Sequence, residues 1–392
     1  MGAPPLQDRA AGRGRSLPRH PGEPQPAPQE EEAQVNGPAP RLLFAPASGP
    51  GGSGEYYRSL TLARAVADRA PGARIDFLVN REAGVERDER FTYHEITETP
   101  ARAGDEVLRL IDALRPDLAV FDCTGRVRQF RALKDAGAWV VWVSDRPHKR
   151  LKGFRPRQLR WTDLHLAVDV SGRPPRLKWY ERLLLAAVGR ARAEVVPGIV
   201  AEPDREALAA WAEALPERGK AYAVFVAGGG GYVDNGRPVP EILVEAADRL
   251  VASTGIEAVV VLGPQYRGSL REHERVRLLD SLPTAALGAL LADARLAVTG
   301  AGSMLSAQVL AAGVPAVMIP AGGNDQAQRI RDLEKAGLIE GSALEAGELA
   351  ERARSLLASP ERAQAMVARQ RALGVAEMTG RVAERLLALA GR

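Results

Sequence analysis

The chain of 392 residues, 45% hydrophobic and 26% charged, has the balance of a folded, water-soluble protein and the length for two domains with separate cores. Its net charge of +4 comes without a nucleic-acid-binding motif, so no nucleic acid partner is expected, and a single cysteine, Cys123, excludes an internal disulfide and fits a reducing, cytoplasmic setting. No apolar run reaches the roughly 18 residues of a membrane span, and the arginine-containing N-terminus lacks the apolar stretch of a secretion signal.

Residues 1–40 are rich in Pro, Gly, Gln, Arg and Glu and have almost no apolar periodicity. They read as a disordered tail, with a docking arm as the alternative. Order is expected from residues 41–45, a short buried strand. A glycine loop containing Gly52 and Gly54 follows, then helical spacing over 56–70 with Leu60, Ala63 and Ala67 on one face, then a strand at 75–79. This is a βαβ opening with a flexible glycine loop between strand and helix. Glu55, at the end of the loop, admits two readings: a general base, or a negative charge that caps the helix.

Residues 106–114 have the pattern of an amphipathic helix, 118–121 of a strand ending at Asp122, 127–136 of a helix, and 139–143 of a strand ending just before Asp145. Acidic side chains at strand carboxyl ends point into the crevice of an open α/β sheet. Asp122 and Asp145 are therefore crevice candidates, unless they cap helices or pin loops. As bases, His94 and His148 are set aside, because His94 falls in a charged, loop-like stretch and His148 borders a basic segment. That segment, 146–161, carries Lys149, Arg150, Lys152, Arg155, Arg157 and Arg160 interleaved with Leu151, Phe154, Leu159 and Trp161. It suits peripheral contact with an anionic membrane at the inner face, or with an acceptor's phosphates, the alternative being a solvated arginine-rich loop. A helix at 181–193 and a strand at 195–200 complete the first half.

A helix over 202–215 leads to a strand at 222–226, which runs into Gly228-Gly229-Gly230-Gly231 ahead of a helix at 240–252. Four consecutive glycines after a buried strand read as backbone wrapped round a ligand. A strand at 258–262 and a helix at 285–292 precede the most informative stretch, and helices at 348–357 and 362–389 end the chain. In that stretch an apolar run, 296–299, ends in Gly300-Ala301-Gly302-Ser303; a helix, Gly313-Val314-Pro315, a second apolar run and a polar loop ending Asn324-Asp325-Gln326 follow. Strand, glycine turn, helix, strand and loop put a helix N-terminus at the carboxyl end of a parallel strand, where free N–H groups and the helix dipole favour a diphosphate. Gly300 and Gly302 let the backbone approach the ligand. On the turn alone, plain helix-on-strand packing is the alternative; with Asp325 and Gln326 suited to hydroxyl recognition, the two parts outline a nucleotide-sugar pocket.

The run from Gly302-Ser303 through Leu310-Ala311-Ala312-Gly313-Val314-Pro315 to Asn324-Asp325-Gln326 and Leu333-Glu334-Lys335-Ala336-Gly337 resembles the donor-binding half of the GT-B glycosyltransferases. Within them it is similar to the lipid II-forming N-acetylglucosaminyltransferase of peptidoglycan synthesis and the nucleotide-sugar hydrolase of pseudaminic acid biosynthesis. The likeness spans residues 41–390 and implies an α/β, GT-B fold: two Rossmann-like domains facing across a cleft, acceptor-side over 41–200 and donor-binding over 201–392. It implies that Gly229, Gly230, Gly231, Gly302 and Ser303 face the donor diphosphate. Gln308 would meet the ribose, and Asn324, Asp325 and Gln326 the sugar; the segment leading into helix 285–292 would close over the base. Two departures stand out. Both relatives have a Glu seven residues before the proline of Gly-Val-Pro, where this chain has Gln308, and Glu55 stands where the hydrolase has its His.

No Asp-x-Asp or His-Glu-x-x-His motif and no His or Cys cluster occurs, so neither a metal nor any other cofactor is expected. That suits chemistry in which fixed dipoles stabilise the departing diphosphate, here at helix N-termini after Gly231 and Gly302. The activity expected is inverting transfer from a nucleotide sugar, a UDP-sugar foremost, to an acceptor hydroxyl whose identity is open. Glu55 first and Asp122 second are the expected bases, because the phosphate-facing glycines lie across the cleft. Nucleotide-sugar hydrolysis and silent nucleotide-sugar binding are the alternatives.

Overall fold

The computed structural model describes residues 1–2, 39–49, 54–189 and 191–391, so most of the expected tail, and Gly52, lie outside the described residues. In chain order the first half runs β1 (Arg41–Pro46), α1 (Gly54–Arg69), β2 (Arg74–Asn80), β3 (Thr92–Ile96), α2 (Gly104–Leu114), β4 (Leu118–Asp122), α3 (Val127–Asp135), β5 (Trp139–Ser144), α4 (Pro147–Gly153), α5 (Pro156–Leu159), β6 (Leu164–Val168), α6 (Trp179–Val188) and β7 (Arg192–Val196). Its strands form one parallel sheet in the order β3-β2-β1-β4-β5-β6-β7. Parallel strands buried on both faces need continuous apolar runs, and β4 and β5 supply them: every residue of β4 and all of β5 after Trp139 is buried. Phe44 and Phe77 stack on the face covered by α1, while Phe121, Phe130 and Trp142 fill the face under α2 and α3.

The second half runs α7 (Arg205–Ala209), β8 (Tyr222–Val226), β9 (Val233–Asp234), β10 (Arg237–Pro238), α8 (Val239–Thr254), β11 (Glu257–Val261), β12 (Arg277–Leu279), α9 (Thr284–Asp293), β13 (Leu296–Gly300), α10 (Ser303–Ala312), β14 (Ala316–Ile319), α11 (Gln326–Lys335), β15 (Glu340–Gly341), α12 (Ala346–Leu357), α13 (Pro360–Arg371) and α14 (Met378–Ala390). A second parallel sheet, β12-β11-β8-β13-β14-β15, carries it, and β9 pairs with β10 in a separate antiparallel hairpin. In each sheet the order reverses beside the first strand of the half, β1 next to β4 and β8 next to β13. Such switch points leave a crevice at the strand carboxyl ends. The last helix, α14, returns to pack on α1. Thr379 on it fastens the segment between the halves, its hydroxyl donating to the Val200 carbonyl (2.7 Å) and accepting from the Val200 amide (2.9 Å).

Several local expectations change. The stretch holding His94 is not a loop: it is β3, and the His94 ring bonds Asp76 of the neighbouring strand (2.7 Å). The helix expected at 240–252 is α8, Val239–Thr254, but the β9–β10 hairpin, which the sequence did not show, separates it from the four glycines, so no helix N-terminus follows Gly231 directly. In the basic segment, α4 and α5 turn Phe154 and Leu159 into the core, and Leu151 is the exposed apolar residue. An insertion-style membrane anchor thereby loses two of its apolar groups, because the fold spends them on packing against α6 and β7. Arg150 is also committed, to Glu181 (2.8 Å) and Asp169 (3.0 Å).

Candidate active site

Both switch points open on one cavity of about 820 Å³, lined from the first half by Gly54, Glu55, Tyr57, Arg58, Asp145 and Arg146, and from the second by turns after β8, β11, β13 and β14. This volume is in the range of ligand pockets.

On the first-half wall the central residue is one that the sequence reading passed over. Arg58, one turn into α1 from Glu55, is 1% exposed and forks onto Asp122 (Nε to Oδ2 2.8 Å, Nη2 to Oδ1 2.5 Å) while its Nη1 reaches Asp145 (3.0 Å). Arg58 lies nearly opposite the Leu60, Ala63 and Ala67 face on the helix, and the spacing gives no signal for it, since its partners lie 64 and 87 residues away. Asp122 is 0% exposed and does not line the cavity. Both its oxygens accept from Arg58, and complete burial keeps the second-choice base off the cavity wall. Asp145 does line the cavity; although burial opposes its charge, Arg58 and the thiol of Cys123, which donates to it (3.1 Å), hold it below the usual carboxylate range.

Glu55, 9% exposed, occupies the first turn of α1 and lines the cavity. Arg146 Nη2 donates to its Oε1 (3.0 Å). Burial first, then the charges of Asp122 and Asp145, raise Glu55 above the ordinary carboxylate range against the pull of Arg58 and Arg146. Three carboxylates share two guanidiniums here: burial raises Asp122 as well as Glu55, and of the two carboxylates on the cavity wall Glu55 is the raised one and Asp145 the lowered one. A raised carboxylate in a cleft is what a general base needs to work near neutral pH.

Glu55, Cys123 and Asp145 have ligand atoms within 4.8 Å of one another, a spacing a cation could bridge. Their chemistry does not fit one. Guanidiniums already occupy both carboxylates, and burial with the neighbouring carboxylates pushes the Cys123 thiol well above its ordinary value, so it is no thiolate ligand.

On the second-half wall five glycines, Gly228, Gly229, Gly263, Gly302 and Gly323, bring backbone to the cavity. Gly302 caps α10, and Gly302 and Ser303 line the cavity; a side chain at Gly302 would meet no protein atom within 4 Å, so the space above it is open to a ligand. Gly300 is different: a Cβ there would come within 2.9 Å of Ala321, which makes it a packing glycine. The four-glycine turn divides in the same way. Gly228 and Gly229 line the cavity, whereas Gly230, at φ +79°, sits so close to the next turn that a Cβ would lie 2.2 Å from the Leu262 carbonyl. Gly231 faces Gln265, and neither it nor Gly230 lines the cavity.

Gln308 lines the cavity from α10, its Nε2 donating to the Thr284 carbonyl (3.0 Å). Asp325 and Gln326 also line it; Asp325 accepts from Arg329 (2.6 Å), and Gln326 Oε1 accepts from the Ala321 amide (2.8 Å), pinning its own loop. Asn324 is exposed and off the wall. Arg329 and Trp211 are cavity residues that the sequence reading missed. Arg329 Nη1 donates to the Ala301 carbonyl (2.7 Å), which sets a cation beside the α10 N-terminus; its spacing of four from Asp325 on one helix was the available signal. Ser281, Leu282, Pro283, Thr284 and Leu287 complete this side.

No family model matches the chain, and no curated protein is similar to it in sequence. Solved structures do match. The spinosyn rhamnosyltransferase SpnG is 18% identical with a TM-score of 0.61 over 88% of this chain and 99% of that one. The calicheamicin glycosyltransferase CalG4 is 19% identical with a TM-score of 0.56 over 90% and 99%. Phytolacca americana UGT2, complexed with UDP-2-fluoro-glucose and pterostilbene, is 13% identical with a TM-score of 0.59 over 89% and 98%. At these identities the likeness establishes the fold, and that fold is GT-B.

Proposed function

We propose that this chain is a glycosyltransferase that moves a sugar, with inversion, from a nucleotide sugar, a UDP-sugar foremost, to an acceptor hydroxyl without a metal. The observation that carries the reading is the pairing, across one cavity, of a carboxylate with a raised pKa on the first-half wall and the open, glycine-capped N-terminus of α10 on the second. That a structural neighbour holds a UDP-sugar analogue supports the choice of donor.

In this reading the donor diphosphate lies at the α10 N-terminus, where free N–H groups, the Ser303 hydroxyl and the nearby Arg329 stabilise the charge that grows as the bond from the anomeric carbon to the diphosphate breaks. Trp211, Leu282, Pro283 and Leu287 give the base an apolar bed, Gln308 meets the ribose, and Asp325 and Gln326 meet sugar hydroxyls. The acceptor oxygen forms its bond to the anomeric carbon from the opposite face and passes its proton to Glu55. Arg146 orients that carboxylate through one oxygen and leaves the other for the acceptor. Arg58, with Asp122 and Asp145, is a positioning group that fixes the first turn of α1.

Incubation with UDP- and dTDP-sugars, with and without a panel of alcohol acceptors, tests the reading. Acceptor-dependent release of UDP supports transfer. Free sugar released at the same rate without acceptor favours nucleotide-sugar hydrolysis, and binding without turnover favours a silent binding protein.

A further inference from the structure

A second cavity, of about 470 Å³, lies on the first half and shares no lining residue with the cleft. The turn after β4 and the α4–α5 segment after β5 build it, and its wall includes Arg126, Arg128, Lys152, Arg155, Arg157 and Gln158. Arg126 and Val127 stand at the N-terminus of α3, a helix of 9 residues with no acidic residue in its first turn.

The charges are poorly compensated. Arg128 has one carboxylate, exposed Asp105 (3.0 Å). Arg126 spends its Nε on the Ala101 carbonyl (3.1 Å). Lys152 has only the Trp142 ring, 5.0 Å from its Nζ, and neither it nor Arg155 nor Arg157 meets a carboxylate among the described residues. Burial first, then the charges of Lys149, Arg126 and Arg155, push the Lys152 ammonium below its ordinary value, the mark of cations crowded without a counter-charge. An independent feature points the same way: Gln158 is 4% exposed, yet its Nε2 has no acceptor within hydrogen-bonding distance. A buried donor without a partner costs about 1 to 3 kcal/mol, so proteins leave few of them idle.

From the excess cations, the helix N-terminus and the idle amide, we infer that this cavity is a binding site for a phosphate group, as a phosphomonoester or diphosphate, separate from the donor cleft. Phosphate offers several acceptor oxygens to the planar forks of Arg126, Arg155 and Arg157, a match that a single carboxylate makes less fully. The group can belong to a free phosphorylated compound or to a lipid headgroup, and the chemistry of capture is the same.

The test is calorimetric titration of the full chain with inorganic pyrophosphate at low salt, compared with an Arg155→Ala/Arg157→Ala variant. Both residues are exposed, so the variant's thermal unfolding should match the parent's. The expected result is binding by the parent that weakens with salt and drops roughly tenfold or more in the variant. No binding by the parent, or equal binding by the variant, overturns the site. Co-sedimentation with phosphatidylcholine vesicles, with and without phosphatidic acid, then identifies the source. Retention on the acidic vesicles that the variant loses assigns the site to a headgroup, and no retention assigns it to a free phosphorylated compound.

Discussion

On the wall that the first sheet turns to the cleft and just behind it, Arg58 holds Asp122 and Asp145 and Arg146 holds Glu55, so long-range ion pairs position the carboxylates. On the wall of the second sheet, Gly228, Gly229 and Gly302 present backbone, and Gln308, Asp325, Gln326 and Arg329 bond their own loops or neighbours. A diphosphate is recognised well by oriented N–H groups, which are fixed once the strand and helix are formed. A proton acceptor needs a tuned pKa, and that takes several charges brought together from distant segments.

The largest effect expected separates chemistry from binding. Glu55→Gln should reduce turnover by about 10² to 10⁴-fold, the usual worth of a general base, with donor affinity nearly kept. A variant that keeps more than half its activity removes Glu55 from the role. Next comes the lock itself. Arg58→Met leaves buried Asp122 without its cation and Asp145 with only Arg146 (3.8 Å), and breaking a buried pair in this way costs about 3 to 5 kcal/mol. Its urea midpoint should fall accordingly, and an unchanged midpoint would mean that the carboxylates find other partners. On the opposite wall, Asp325→Ala should lower turnover by roughly tenfold while UDP alone still binds, since one charge-assisted hydrogen bond is at stake. Kinetics equal to the parent's would take Asp325 away from the sugar.

The smallest effect is the most specific. A base works only when ionised, so activity should rise with pH through the raised pKa of Glu55. Arg146 lowers that pKa, and Arg146→Ala should therefore move the acid limb of the pH–rate profile to higher pH. A limb that stays in place or moves down assigns the titration to another group.

The fold was largely legible in the sequence, because buried parallel strands demand continuous apolar runs and the helices between them show their period; the strands read at 118–121, 139–143 and 296–299 were evident on those grounds and form to within one residue. The α10 turn was legible too, since the glycine turn, the helix and the polar loop are consecutive in the chain. Short, weakly apolar pieces were not: the β9–β10 hairpin and edge strand β3 owe their form to neighbours more than to their own pattern.

What only the tertiary structure decided is which polar groups are free. By residue type and position, Asp122 and Asp145 were equivalent strand-end carboxylates, yet Arg58 buries one completely and leaves the other on the cavity wall. The glycines at 229 and 230 were equivalent as well, until the turn after β11 closed on one of them. Phe154 and Leu159 read as outward anchors, and the packing of α6 and β7 drew them inside. Local patterns record how the backbone of a segment folds, because those interactions are short in sequence. A side chain's partner is chosen across tens of residues, and nothing in the segment itself carries that choice.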